Sequence, residues 1–177
     1  MVVDVVDRPV RTDLDPARPR LGRRPARPDP EVERRRQLDG ARALLERARA
    51  LLAEGWVQDA FYVVRGRHGE TRPVSPFGLL LLSRTDVVGA CLVGAVAHAS
   101  SAVDRPDRRS QSALAVDALW GALGGDPADP IAGPHPAARA ARVRELAYWN
   151  DEPGRRQEDV LDLLDRAVSR TIHAAVR

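Results

Sequence analysis

The chain of 177 residues contains no lysine, one cysteine and one methionine, and aromatic side chains make up only 4% of it. A lone cysteine excludes a disulfide framework. With acids interrupting the opening Met1-Val2-Val3-Asp4 run, no export signal is evident, and a reducing, cytoplasmic setting is expected. Long apolar stretches are also missing. Residues 77–82 and 87–97 are separated by Ser83-Arg84-Thr85-Asp86, and neither approaches the ~20 residues of a membrane-spanning helix, so no membrane partner is expected. No Gly-rich phosphate loop, His-Glu-x-x-His or Gly-x-Ser-x-Gly occurs, and the reading leans away from an enzyme and requires no cofactor or metal.

What charge there is lies unevenly. Arginines number 28 against 25 acids, for a net charge of +3. Residues 1–36 hold ten arginines and seven acids, which leaves the rest of the chain balanced. Six of the fourteen prolines fall within residues 1–30. Such a segment cannot bury enough apolar surface to offset chain entropy, so residues 1–30 are expected to form a disordered Pro/Arg-rich arm ahead of a single helical domain over 31–177. Arg18, Arg20, Arg23, Arg24 and Arg27 form a run of cations without an intervening acid and are the candidates for nucleic-acid phosphate contacts. Asp13, Asp15, Asp29 and Glu31 flank them and no aromatics interleave, a pattern that favours a solvated linker.

The body predicts a mainly α architecture, a compact bundle of about five helices with a small β-hairpin after the first. Leu38, Ala41, Leu44, Leu45, Ala48, Leu51 and Leu52 recur at three- and four-residue steps between a start at Asp29-Pro30 and a stop at Gly55. Residues 60–65 and 70–74 flank the turn residues Gly66-Arg67-His68-Gly69 and form the hairpin, with Pro73 confining its strand to an edge. Residues 77–82 read as strand or helix. A second helix is expected from Thr85 or Asp86 to His98, its many small residues giving it a central place. A third runs from about Gln111 to Leu123, a fourth from Pro136 to Trp149, and a fifth from Gln157 to about Val176. The fifth presents Val160, Leu161, Leu164, Ala167, Val168 and Ile172 as its apolar stripe.

Gly55-Trp56, the helix reading Ala90-Cys91-Leu92-Val93-Gly94-Ala95, and Trp149-Asn150-Asp151-Glu152-Pro153-Gly154-Arg155 before Val160-Leu161 follow one another in a telling order. In that order they resemble an uncharacterised family of small proteins frequent in actinobacteria and their phages, classed only as a domain of unknown function. The resemblance spans roughly Leu38 to Ala167, and the Trp-Asn-Asp-x-Pro-Gly turn is its most specific element. That family commonly carries Thr at the position of Arg156, which implies a capping box of which only Asp159 remains here. It implies architecture and no mechanism.

Two constellations could carry chemistry. Cys91 and His98 stand two turns apart on the expected second helix, as nucleophile and base or as metal ligands; a rise of about 1.5 Å per residue holds their backbones ~10 Å apart and favours a packed cysteine and a helix-terminal histidine. Trp149, Asn150 and Asp151 read first as a helix-to-helix corner, with Trp149 plugging its inner side. Their alternative role is a pocket mouth, in which Asp151 and Glu152 offer carboxylates beside Trp149 and Tyr148 to a cation or polar ligand. The leading expectation is a non-catalytic protein that binds another macromolecule, most simply a protein. Nucleic-acid association through the arm, and a ligand or catalytic pocket at Cys91/His98 or Trp149/Asp151, stand as alternatives.

Overall fold

A computed structural model of the chain describes residues 29–75, 87–124, 131 and 136–176. Residues 1–28 of the arm, which include Arg18, Arg20, Arg23, Arg24 and Arg27, and the strand-or-helix choice at 77–82 lie outside the described residues. Five helices and a three-stranded antiparallel sheet make up the described fold: α1 (Pro30–Glu54), β1 (Tyr62–Arg65), β2 (Thr71–Val74), β3 (Val87–Ala90), α2 (Leu92–Ser100), α3 (Arg105–Gly124), α4 (Pro136–Asn150) and α5 (Gln157–Val176).

Helix α1 is the spine. The Asp29 carboxylate caps it by accepting from the Glu31 amide (2.9 Å), with Pro30 preset for the first turn. Its stripe of Leu38, Ala41, Leu44, Leu45, Ala48 and Leu52 is fully buried against α2, α3 and α5, and each buried leucine contributes ~1.5–3 kcal/mol of apolar burial. Gly40 lets α3 close in, since a Cβ there would stand 2.2 Å from the Gln111 side chain. The Arg36 guanidinium bonds both oxygens of Asp107 (2.7 and 2.8 Å), and Arg49 does the same to Asp165 (2.7 and 3.0 Å).

The sheet runs β2-β1-β3, with Tyr62 opposite Val74 on one side and opposite Ala90 on the other. The Gly66 amide donates to Glu70 O (2.7 Å), so hydrogen-bonded rungs alternate from there and the Val63–Pro73 pair falls on a non-bonded rung. Pro73 therefore turns its missing donor outward, which blunts the open edge of β2.

Three expectations need correction. Val87–Ala90 is a strand, so the helix expected from Thr85 or Asp86 to His98 does not run through 87–90; this segment pairs with β1, Val87 opposite Val64, and α2 begins only after Cys91, whose backbone is extended (φ −78°, ψ 170°). Helix α3 starts near Arg105 instead of Gln111, because its charged first turns are tied down by Arg36 on Asp107 and by Arg108 on the carbonyls of Ser101 and Val103. The buried stripe of α5 is Val160, Leu163, Leu164, Ala167 and Thr171, rotated away from Leu161 and Ile172. The half capping box is present as expected: the Arg156 amide donates to Asp159 Oδ2 (2.9 Å).

Candidate functional site

Between α4 and α5 the chain turns through Asp151-Glu152-Pro153-Gly154, with Gly154 in the left-handed region (φ 85°). Asn150, the last residue of α4, is completely buried, and its amide makes the full set of bonds it is capable of. Its Oδ1 accepts from the Trp56 indole N–H (2.8 Å) and from the Leu92 amide (3.0 Å). Its Nδ2 donates to Val57 O (3.2 Å) and to Asp151 Oδ1 (2.7 Å). One side chain thereby ties together the end of α4, the segment after α1 and the first turn of α2. Gln58 adds bonds to the carbonyls of Asn150 (3.0 Å) and Glu152 (3.1 Å).

Sequence reasoning gave the inner side of this corner to Trp149. It is Asn150 that fills it, while Trp149 is half-buried with the Arg155 guanidinium 3.9 Å above its ring and Arg155 Nε donating to its carbonyl (3.0 Å). Glu152 is drawn off by Arg155, and Tyr148 is 76% exposed. The expected mouth built from Asp151 and Glu152 beside Trp149 and Tyr148 is therefore not assembled.

A different cleft is. It has a volume of about 510 Å³, opens to solvent, and is lined by Asp59, Ala60, Phe61, Pro73, Val74, Ser75, Cys91, Ala147 and Asp151. Asp59 holds a left-handed backbone (φ 56°), and its amide donates to Asp151 Oδ1 (3.1 Å), which brings the two aspartates to one rim. Asp59 was not anticipated from sequence; nothing in Gln58-Asp59-Ala60 distinguishes it from a loop aspartate. Cys91 forms part of the floor as the N-cap of α2, its Sγ accepting from the Gly94 amide (3.3 Å). It is only 5% exposed, and burial raises its pKa, with the Gly94 bond opposing and the Asp151 charge adding to the rise. A thiol held protonated in this way is a poor nucleophile.

Cys91 precedes α2 and does not share a helical face with His98, which stands at the far end of that helix with its ring 6.4 Å from Tyr62. The structure thus brings Cys91 to Asp151, a pairing that sequence reasoning did not make. Gly94 permits the junction: a Cβ there would lie 2.3 Å from Phe61 O. Among the described residues no group of three or more His, Cys, Asp or Glu side chains is placed to hold a metal ion. No described helix is long and apolar enough to cross a membrane.

Residues 37–170, about three quarters of the chain, match the model of a family described as "Family of unknown function (DUF6197)". Neither the curated proteins nor the solved structures contain a match.

Proposed function

From membership of the DUF6197 family, to which the chain belongs and whose description assigns no activity, we propose on geometric grounds that it is a protein-binding module whose recognition site is the cleft beside the Trp149–Gly154 corner. The cleft's construction carries this reading: three segments distant in sequence are fixed around it by a fully bonded Asn150, so its shape is preorganised. Its openness favours a large partner. Small-molecule sites bury roughly 70–90% of their ligand, whereas Asp59, Pro73 and Ser75 here are exposed rim residues. A partner's own surface closes such a mouth. Strand addition is disfavoured because Pro73 faces the open edge of β2, which leaves side-chain insertion as the mode of recognition.

The test is a comparison of the immobilised chain with its Ser75→Trp variant, which fills the cleft from an exposed position, and with Val32→Ala, exposed at the opposite end of α1, as a remote surface control, in a lysate of the native cells. A protein retained by the wild type and the control, lost at least about tenfold from Ser75→Trp, and binding again as a purified pair is the expected result. Identical retention by all three chains refutes the cleft. Retention of DNA or RNA at low salt that disappears on deleting residues 1–30 would transfer the function to the arm.

A further inference from the structure

We infer that the cleft receives the cationic end of a lysine or arginine side chain of the partner, with the side chain's methylene stem against Phe61 and Val74. The inference rests on the protein-binding reading and adds the chemistry of what enters. The rim carries two carboxylates, Asp59 and Asp151, and no described lining residue carries a positive charge. Both internal bonds to Asp151, from Asp59 N and Asn150 Nδ2, end on Oδ1, and no described residue bonds its Oδ2.

The opposite polarity is closed off. The N-terminus of α2 points a positive helix end at the cleft floor, where exposed amides would invite an anion. Those donors are already committed, because Leu92 N–H goes to Asn150 Oδ1 (3.0 Å), Gly94 N–H to Cys91 Sγ (3.3 Å) and Ala95 N–H to Cys91 O (2.8 Å), while Val93 N–H is directed at the Cys91 sulfur. Apart from Ser75, the remaining walls, Ala60, Phe61, Pro73, Val74 and Ala147, are apolar and offer a cation's stem a surface to cover. Two acids over mainly apolar walls, with the helix-end amides at the floor committed, match an ammonium or guanidinium on an alkyl chain.

The experiment uses the full chain, labelled with ¹⁵N, and four probes: the capped tripeptides Gly-Lys-Gly, Gly-Arg-Gly and Gly-norleucine-Gly, and n-butylammonium. Expected are saturable shifts of the Asp59, Phe61, Cys91 and Asp151 amides with the Lys and Arg peptides, and binding at least about tenfold weaker with norleucine. Asp59→Asn combined with Asp151→Asn should weaken the Lys peptide by a similar factor. The first retains a residue that tolerates the left-handed backbone, and the second keeps the Oδ1 acceptor, so both are compatible with the fold. Norleucine binding as well as lysine, or an unaffected double variant, overturns the cation assignment. Butylammonium binding as tightly as the Lys peptide assigns the cleft to a free amine and overturns the side-chain source. If no probe shifts any cleft amide while Ser75→Trp still abolishes capture of the partner, this inference fails and the protein-binding reading stands.

Discussion

Asn150 offers the sharpest test of the corner, because two substitutions probe the same four bonds in different ways. Asn150→Ala leaves the buried Leu92 amide, Val57 O, the Trp56 indole N–H and Asp151 Oδ1 short of a partner. With each buried orphan costing ~1–3 kcal/mol, and Trp56 and Asp151 able to reach water, the two backbone groups and the small cavity amount to about 3–5 kcal/mol. That is a large share of a typical ~5–15 kcal/mol of total stability. Asn150→Asp keeps the shape and replaces the Nδ2 donor by an oxygen facing Val57 O and Asp151 Oδ1. Burial and the Asp151 charge hold the introduced carboxyl above its unfolded pKa. A folded pKa that is raised gives stability in full below the unfolded value, lost as the pH rises through the folded one. When protonated, the new carboxyl still accepts from Trp56 and Leu92 and donates to Asp151 Oδ1, forfeiting only the bond to Val57. Relative to wild type at each pH, the variant should cost about 1–2 kcal/mol at pH 4 and at least about 2 kcal/mol more at pH 8. Urea unfolding followed by tryptophan fluorescence measures both. A loss below about 1 kcal/mol for Asn150→Ala, or an equal loss for Asn150→Asp at the two pH values, refutes the account of Asn150 as a fully bonded clamp.

Gly94→Ala should cost more than about 2 kcal/mol, because its Cβ meets the Phe61 carbonyl, while Gly124→Ala, with nothing within 4 Å, should lie within about 0.5 kcal/mol of wild type or stabilise; equal melting shifts for the pair would contradict the close approach of α2 and β1. Burial pushes the Asp117 carboxyl above its ordinary value, with Arg142 (3.0 Å) and Arg139 (4.0 Å) opposing the shift. The stability it contributes is therefore complete below its unfolded pKa and falls as the pH rises through the folded one, so Asp117→Asn should remove a downward slope of unfolding free energy between pH 4 and 7. A pH-independent difference between the two proteins would show that the arginines cancel the effect of burial, and one rising with pH that they outweigh it. Alkylation of Cys91 by iodoacetamide at pH 8 should be at least about tenfold slower in the native protein than in urea, with similar rates counting against a buried thiol. Cys91→Ser, which preserves an acceptor at the cap, should cost under about 1 kcal/mol, and a larger loss would show that the sulfur is needed for packing rather than capping.

Helix α1 was readable because polar arginines alternate with a leucine stripe at helical spacing, and local chemistry at Asp29-Pro30 fixes its start. The Val87–Ala97 run carried no such contrast. Apolar on every face, it fits strand and helix alike, and the division at Cys91 depends on β1 lying alongside and on the Asn150 side chain reaching the Leu92 amide. The Trp149–Gly154 turn was legible from its own residues, yet its central contact joins Asn150 to Trp56, 94 positions away, and no local pattern encodes that. For the same reason the cleft escaped sequence reasoning: Asp59, Cys91 and Asp151 come from three segments, and only the folded chain makes them neighbours.

The pairing of α1 with α5 also bears on how the chain acquires its structure during synthesis. The leucine face of α1 leaves the ribosome first, and its cover includes α5, whose Gln157 bonds the Leu52 and Ala53 carbonyls and whose Asp165 holds Arg49 116 positions away. Closing so long a loop costs entropy before any contact repays it. A nascent chain that has released α1 through α4 therefore presents an amphipathic helix with one side bare, a ready client for a holding chaperone and a poor candidate for stepwise folding. Chains truncated before α5 should accumulate in that bound state, and release of the last helix should be the event that lets the core close.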